Sequence, residues 1–94
     1  MINEIIGIIE LVKNKVSDSS DVVWTRYDSA KKFRDDLDNY INRLKANDKS
    51  CLEELNIVFA PTGSLQEHSI SNGWADEYIA IAERFDKLYH ASKK

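Results

Sequence analysis

The chain has very few of the residues that break or cross-link a polypeptide. Its 94 residues include three glycines, one proline and one cysteine. Many tight turns would need more glycine and proline, so this scarcity disfavours an all-β fold. A single cysteine, Cys51, excludes an internal disulfide, and a small domain without disulfides depends on its core, which is typical of the cytoplasm. We therefore expect one cytoplasmic domain over residues 1–94.

A strong excess of charge and long apolar runs are also absent. Thirteen basic and sixteen acidic residues give a formal net charge of −3. Nucleic-acid binding relies on clustered Lys and Arg, so this balance disfavours it. No apolar run reaches the ~20 residues that span a bilayer. Glu4 and Glu10 interrupt the apolar N-terminus, which lacks the basic flank of a secretory signal. We expect no nucleic-acid partner and no membrane partner.

Signatures of catalysis and of cofactor binding are missing as well. The glycines are too far apart to form a phosphate-binding loop, and no Cys or His cluster has the spacing of a zinc site. Asp36 and Asp38 begin like a calcium loop. Ile41 and Asn47, however, stand where that loop needs glycine and glutamate. We therefore predict no catalytic residue, no metal and no cofactor.

Cys51 with His68 or His90 is the nearest approach to a nucleophilic pair. Cys51 shares a predicted helical face with Leu55 and Phe59, so we interpret it as an apolar core residue. The sequence positions no partner for either histidine, so we expect both to be partly exposed and inert.

Apolar residues recur at helical spacing along most of the chain. The periodicity predicts helices over 2–16, 22–46, 49–60, 64–71 and 74–91. The second is the longest, with an apolar stripe that starts at Val23 and Tyr27. Four substantial helices with short loops indicate an all-α fold, an antiparallel four-helix bundle. The short 64–71 helix is then an insertion between the last two main helices.

Polar residues at the segment boundaries predict how the helices begin. Asp48 or Ser50 is predicted to cap the third helix. Ser50 with Glu53, and Ser64 with Glu67, have the spacing of a reciprocal capping box. Residues 60–63, Ala-Pro-Thr-Gly, predict a tight turn, because proline is pre-set for its second position.

The two tryptophans stand differently relative to the apolar stripes. Trp74 begins the stripe of the last helix, and we expect it to fill the core. Trp24 lies beside the stripe of its predicted helix. It either packs beneath the first helix or forms an anchor for a partner.

Acidic residues occur in adjacent pairs. Neighbours on a helix point about 100° apart, so such pairs do not converge on one atom. They are typical of a solvated face, and a contact surface for a basic partner is the alternative. Segment 49–73 sets one lysine against three glutamates. The candidate partner-binding residues are Glu53, Glu54, Glu67, Trp24, Asp35 and Asp36.

The stretch FAPTGSLQE, from Phe59 to Glu67, is followed by Asn72-Gly73-Trp74 and Glu77-Tyr78. It resembles a signature of small uncharacterised bacterial proteins. In size, acidity and helical content the chain is also similar to immunity proteins of bacterial toxin systems, including contact-dependent growth inhibition. This second resemblance implies a protein that neutralises a toxin by binding it, and it assigns no functional residue.

We therefore expect a protein-binding module without catalytic activity, most simply an immunity or antitoxin protein with a basic toxin domain as its partner. A homo-oligomeric or adaptor scaffold is the alternative. A small enzyme or ligand-binding bundle would need a pocket where Tyr27, Tyr40 or His68 converges with other polar groups.

Overall fold

A computed structural model describes residues 2–60 and 63–92, which form helices and loops without a β-strand. The helices are α1 (Ile2–Lys13), α2 (Ala30–Lys45), α3 (Leu52–Val58), α4 (Ser64–Ser71) and α5 (Ala75–Ser92), with a 3-10 turn (Lys49–Cys51) before α3. The predicted all-helical class is confirmed. None of these helices is both long enough and apolar enough to cross a bilayer.

α1 supplies a large part of the hydrophobic core. It packs against both α2 and α5, and a helix with two neighbours needs an apolar arc wider than one narrow stripe. This is why isoleucines at adjacent positions are all buried. The buried side chains of α1 are Ile5, Ile6, Ile8, Ile9 and Val12.

α1 ends at Lys13, before the predicted boundary at residue 16. Val16 is nevertheless fully buried. Its carbonyl accepts a hydrogen bond of 2.8 Å from the Arg34 guanidinium of α2, which holds this part of the chain against the second helix. The apolar pattern therefore continues past the end of the helix, because Val16 is buried although it is not helical.

The predicted helix over 22–46 is wrong in its first third, because α2 begins only at Ala30. Residues 22–29 form turns and bends. Ser29 caps α2: its backbone is extended, and its hydroxyl accepts the Lys32 N–H at 3.1 Å. Val23, expected on the apolar stripe, is 71% exposed.

Hydrogen bonds from α4 and its C-cap hold the loop of residues 17–29 in place. The Asn72 amide accepts the Asp21 N–H and donates to the Asp21 carbonyl, both at 2.8 Å. Further along the loop, the Arg26 N–H donates to the Ser64 hydroxyl at 3.2 Å. These contacts between distant parts of the sequence favour the loop over the predicted helix.

The two predicted capping boxes do not form. The N-cap of α4 is Gly63, without a side-chain hydrogen bond, because the Ser64 hydroxyl accepts from the loop instead. At the 3-10 turn the cap is Asp48, one of the two predicted caps, and its carboxylate accepts the Ser50 N–H at 3.0 Å. The sequence therefore predicted both helices, and only the capping boxes at their starts were wrong.

The end of α4 is formed by a glycine in the left-handed region. Gly73 has a φ of 79°, and the Trp74 N–H donates to the Ser69 carbonyl at 2.9 Å. This is the Schellman arrangement that commonly ends a helix. α4 has its predicted bounds, and α5 lies within one residue of its prediction.

Two residues expected in the core are found there. Cys51 is fully buried, and Trp74 is 7% exposed. Trp74 also belongs to a chain of neighbouring rings whose successive centroids lie 4.3 to 6.3 Å apart. Such ring pairs add about 0.5–1.5 kcal/mol each beyond their buried area. In order, the chain is Tyr27, Phe33, His68, Trp74, Tyr78, Phe59, Phe85 and Tyr89.

The connection between α3 and α4 brings two backbone segments very close together. Pro61 and Thr62 of the predicted turn lie outside the described residues, and the Gly63 N–H donates to the Ala60 carbonyl at 2.9 Å. A Cβ at position 63 would lie 2.5 Å from the Ile57 carbonyl oxygen and 2.6 Å from that of Val58. Only glycine fits there without a backbone shift.

We predict that Gly63→Ala lowers the free energy of unfolding by about 2 kcal/mol, because the methyl group would overlap backbone atoms that cannot rotate away. The measurement is urea unfolding followed by circular dichroism.

Gly7→Ala is the matched control. A Cβ at Gly7 meets no heavy atom within 4 Å, so alanine should stabilise α1 by up to about 1 kcal/mol through helix propensity. Equal effects of the two substitutions would contradict the close approach at Gly63.

Candidate functional site

Trp24 is a large apolar side chain left in solvent. It lies in the loop of residues 17–29 and is 71% exposed. The interpretation that it packs beneath the first helix is therefore wrong, because the helix expected to carry it begins only at Ala30. The loop backbone on either side of Trp24 is nevertheless held by the hydrogen bonds of Asp21 and Arg26.

Trp24 lines one side of a surface groove of about 420 Å³. The groove lies where the loop meets α3 and α4. Besides Trp24, the lining residues are Thr25 and Arg26 of the loop, Ile57 and Val58 of α3, Gly63, and Ser64 and Glu67 of α4. We name this feature the Trp24 groove. It combines two exposed apolar side chains, since Ile57 is 63% exposed, with charges of both signs.

The positive charge in the groove is already compensated. The Arg26 guanidinium forms an ion pair with the Asp36 carboxylate at 3.2 Å and lies 5.2 Å from the Tyr27 ring centroid. The Tyr27 hydroxyl donates to the same carboxylate. The hydrogen bond with Tyr27 raises the pKa of Arg26. Arg26 is therefore held by residues of its own chain.

Tyr27 and Tyr40 do converge with charged groups, as a ligand-binding pocket would require. Arg26 lies 3.5 Å from the Tyr40 hydroxyl. Burial raises the pKa of Tyr40 to about 12 and also raises that of Tyr27. Both phenols are therefore protonated at neutral pH. The polar groups of this cluster bond to one another, so its chemistry is that of a structural network.

The negative charge in the groove has no such compensation. Glu67 is half-buried, and within the part of the chain that the structure describes its carboxylate has no hydrogen bond and no ion pair. The groove therefore presents a carboxylate beside an exposed indole ring.

The other acidic candidates are distributed over two helices. Glu53 is exposed on α3, one helical turn before Ile57, and does not line the Trp24 groove. Glu54 forms an ion pair with Arg43 at 3.4 Å. On α2, Asp35 pairs with Lys31 at 2.9 Å, and Asp36 belongs to the Arg26 cluster described above. The structure thus places Trp24 and Glu67 in one groove, Asp36 against the groove residue Arg26, and Asp35 outside the groove lining.

His68 is fully buried, so the expectation that it is partly exposed is wrong. Its Nδ1 accepts the Trp74 indole N–H at 3.1 Å, which assigns the proton of the neutral ring to Nε2. Nε2 has no hydrogen-bond partner among the described residues. Burial lowers the pKa of His68, and the Asp21 carboxylate partly offsets this.

The remaining candidates for chemistry are held in structural roles. The Cys51 thiol is 3.7 Å from the Asp48 carbonyl, and burial raises its pKa, which disfavours the nucleophilic thiolate. His90 is exposed and lies 3.2 Å from Asp86. Across residues 2–60 and 63–92, no three His, Cys, Asp or Glu side chains are grouped to hold a metal ion.

Comparisons with protein-family models, with curated proteins and with solved structures gave no match. Two sequence signals fell on the groove: the position of Trp24 beside its stripe, and Glu67 in the acidic 49–73 segment. The sequence did not indicate Ile57 or Arg26, because these residues line the groove only once the loop packs on α3 and α4.

We predict that stability falls as the pH falls below about 6.5. The pKa of His68 is lowered in the folded protein and is near 6.5 in the unfolded chain. Between these values only the unfolded chain binds the proton, which lowers the free energy of unfolding by at most about 1.4 kcal/mol per pH unit. Urea unfolding between about pH 5 and 7 measures the slope.

His68→Leu should lower stability overall and remove most of this slope, whereas His90→Ala should keep it. An NMR titration of the His68 ring in the wild type provides a second measurement. A His68 pKa at or above that of an exposed histidine would contradict the buried, neutral ring.

Proposed function

We propose that the protein is a binding module that uses the Trp24 groove as its contact surface for another protein. The supporting observation is an exposed tryptophan on a loop that hydrogen bonds hold at Asp21 and Arg26. Tryptophan dominates the energetics of many interfaces. A loop backbone held in advance also loses less conformational entropy when a partner covers it.

Within this class we propose an immunity or antitoxin role, in which the groove docks on a basic toxin domain. The net charge of −3 and the uncompensated Glu67 are consistent with a basic partner. Complementary charge speeds association and excludes wrong partners. The resemblance to immunity proteins points in the same direction, and no step of this role requires catalysis.

We also infer that the helices pack as an antiparallel bundle. Lys13 of α1 pairs with Asp38 of α2 at 2.7 Å, and the Val16 carbonyl bonds to Arg34 at 2.8 Å. Residue numbers rise along the first segment as those of its partners on α2 fall, so the two segments run in opposite directions. In this arrangement α4 lies between the core and the loop and supports the groove.

We predict that a photo-reactive benzoylphenylalanine at position 24 captures a discrete protein partner in the native cells, while the same residue at position 79 does not. Ile79 is also exposed, at 54%, but does not line the groove. Trp24→Ala should weaken binding of the purified partner at least about tenfold, as expected for an interface anchor. Isothermal titration calorimetry measures the effect, with Ile79→Ala as the control.

Equal affinities of the Trp24→Ala and wild-type proteins would contradict the groove as the contact surface. Sedimentation velocity of the isolated chain tests the homo-oligomeric alternative through the dependence of its mass on concentration.

We predict further that the captured partner arrests growth when it is expressed alone and that co-expression of the wild-type chain restores growth. Glu67→Lys should reduce this protection, because it places a positive charge against a basic surface. The readout is the growth rate as a function of partner expression. A partner that is harmless alone would contradict the immunity role and leave the binding function standing.

A further inference from the structure

We propose that the Trp24 groove binds an arginine or lysine side chain of the partner, with the cation between the indole face of Trp24 and the carboxylate of Glu67. This inference rests on the proposed binding function and specifies the chemistry of the residue that occupies the groove.

The balance of charge in the groove supports a cation. Arg26 is paired with Asp36 and bonded to Tyr27 through one terminal nitrogen, so the Asp36 carboxylate already offsets its charge. Glu67 has no such partner within residues 2–60 and 63–92. A half-buried, uncompensated carboxylate attracts a cation and repels acidic or phosphorylated side chains.

The exposed ring supports the same occupant. The Trp24 indole makes no ring contact within the described part of the chain, so its face is available. Among aromatic side chains, indole binds cations most strongly over its face. A contact of this kind already exists beside the groove, where Arg26 lies over the Tyr27 ring.

The shape of the groove suits a long basic side chain. Its volume of about 420 Å³ accommodates such a side chain together with a neighbouring apolar residue. Ile57 provides an apolar wall for the methylene stem, while the charged end reaches Glu67. Arginine should bind better than lysine, because its planar group both stacks on the ring and pairs with a carboxylate.

The test uses two blocked tripeptides, acetyl-Leu-Arg-Leu-amide and its analogue with citrulline, which has nearly the same shape but no charge. NMR follows the indole N–H signals of both tryptophans. The Trp74 signal is an internal control, because that group is buried and bonded to His68. We expect the arginine peptide to shift the Trp24 signal alone and to bind about fivefold more tightly than the citrulline peptide.

Glu67→Gln should abolish the difference between the two peptides, and Glu83→Gln, an exposed carboxylate of α5 outside the groove, should preserve it. The difference should also shrink at high salt, since part of it is charge attraction.

Any one of these results would overturn the inference: equal binding of the two peptides, a difference that survives Glu67→Gln, or no shift of the Trp24 signal. Self-association that covers Trp24 and excludes both peptides would overturn it as well. These outcomes are distinguishable from a failure of the binding function, which would appear as wild-type affinity of the Trp24→Ala variant for the captured protein.

Discussion

The Trp24 groove depends on the hydrogen bonds between the Asn72 amide and the backbone of Asp21. They satisfy both the N–H and the carbonyl of Asp21 with a side chain 51 positions further along the sequence. With the Arg26–Ser64 contact, they offset the conformational entropy that the loop loses when it adopts one defined conformation. The position of Trp24 follows from these contacts.

α4 links this surface to the interior. Its Ser64 hydroxyl and the cap residue Asn72 hold the loop, while its Leu65 and His68 are fully buried. The His68–Trp74 hydrogen bond joins α4 to the start of α5 at the centre of the aromatic chain. A change in the packing of α4 therefore affects both the core and the groove.

The helical class, the position of α4 and α5 and the burial of Cys51 and Trp74 could be predicted, because each follows from local spacing. The non-helical conformation of residues 22–29 could not be predicted. Its apolar pattern is compatible with a helix, and the contacts that decide against it come from Ser64 and Asn72. The groove was beyond prediction for a related reason, since its walls come from three separated segments. The sequence indicated two of its residues, Trp24 and Glu67, without indicating that they share a groove.

Gly63 gives the groove an unusual division between fixed and variable parts. Its backbone touches the end of α3 so closely that no side chain can be placed there, so this part of the floor is set by the fold. The exposed walls, Trp24 and Ile57, are surface residues whose replacement costs the core little. A descendant of this chain could thus exchange one partner for another by altering the walls while the floor and the fold stayed the same.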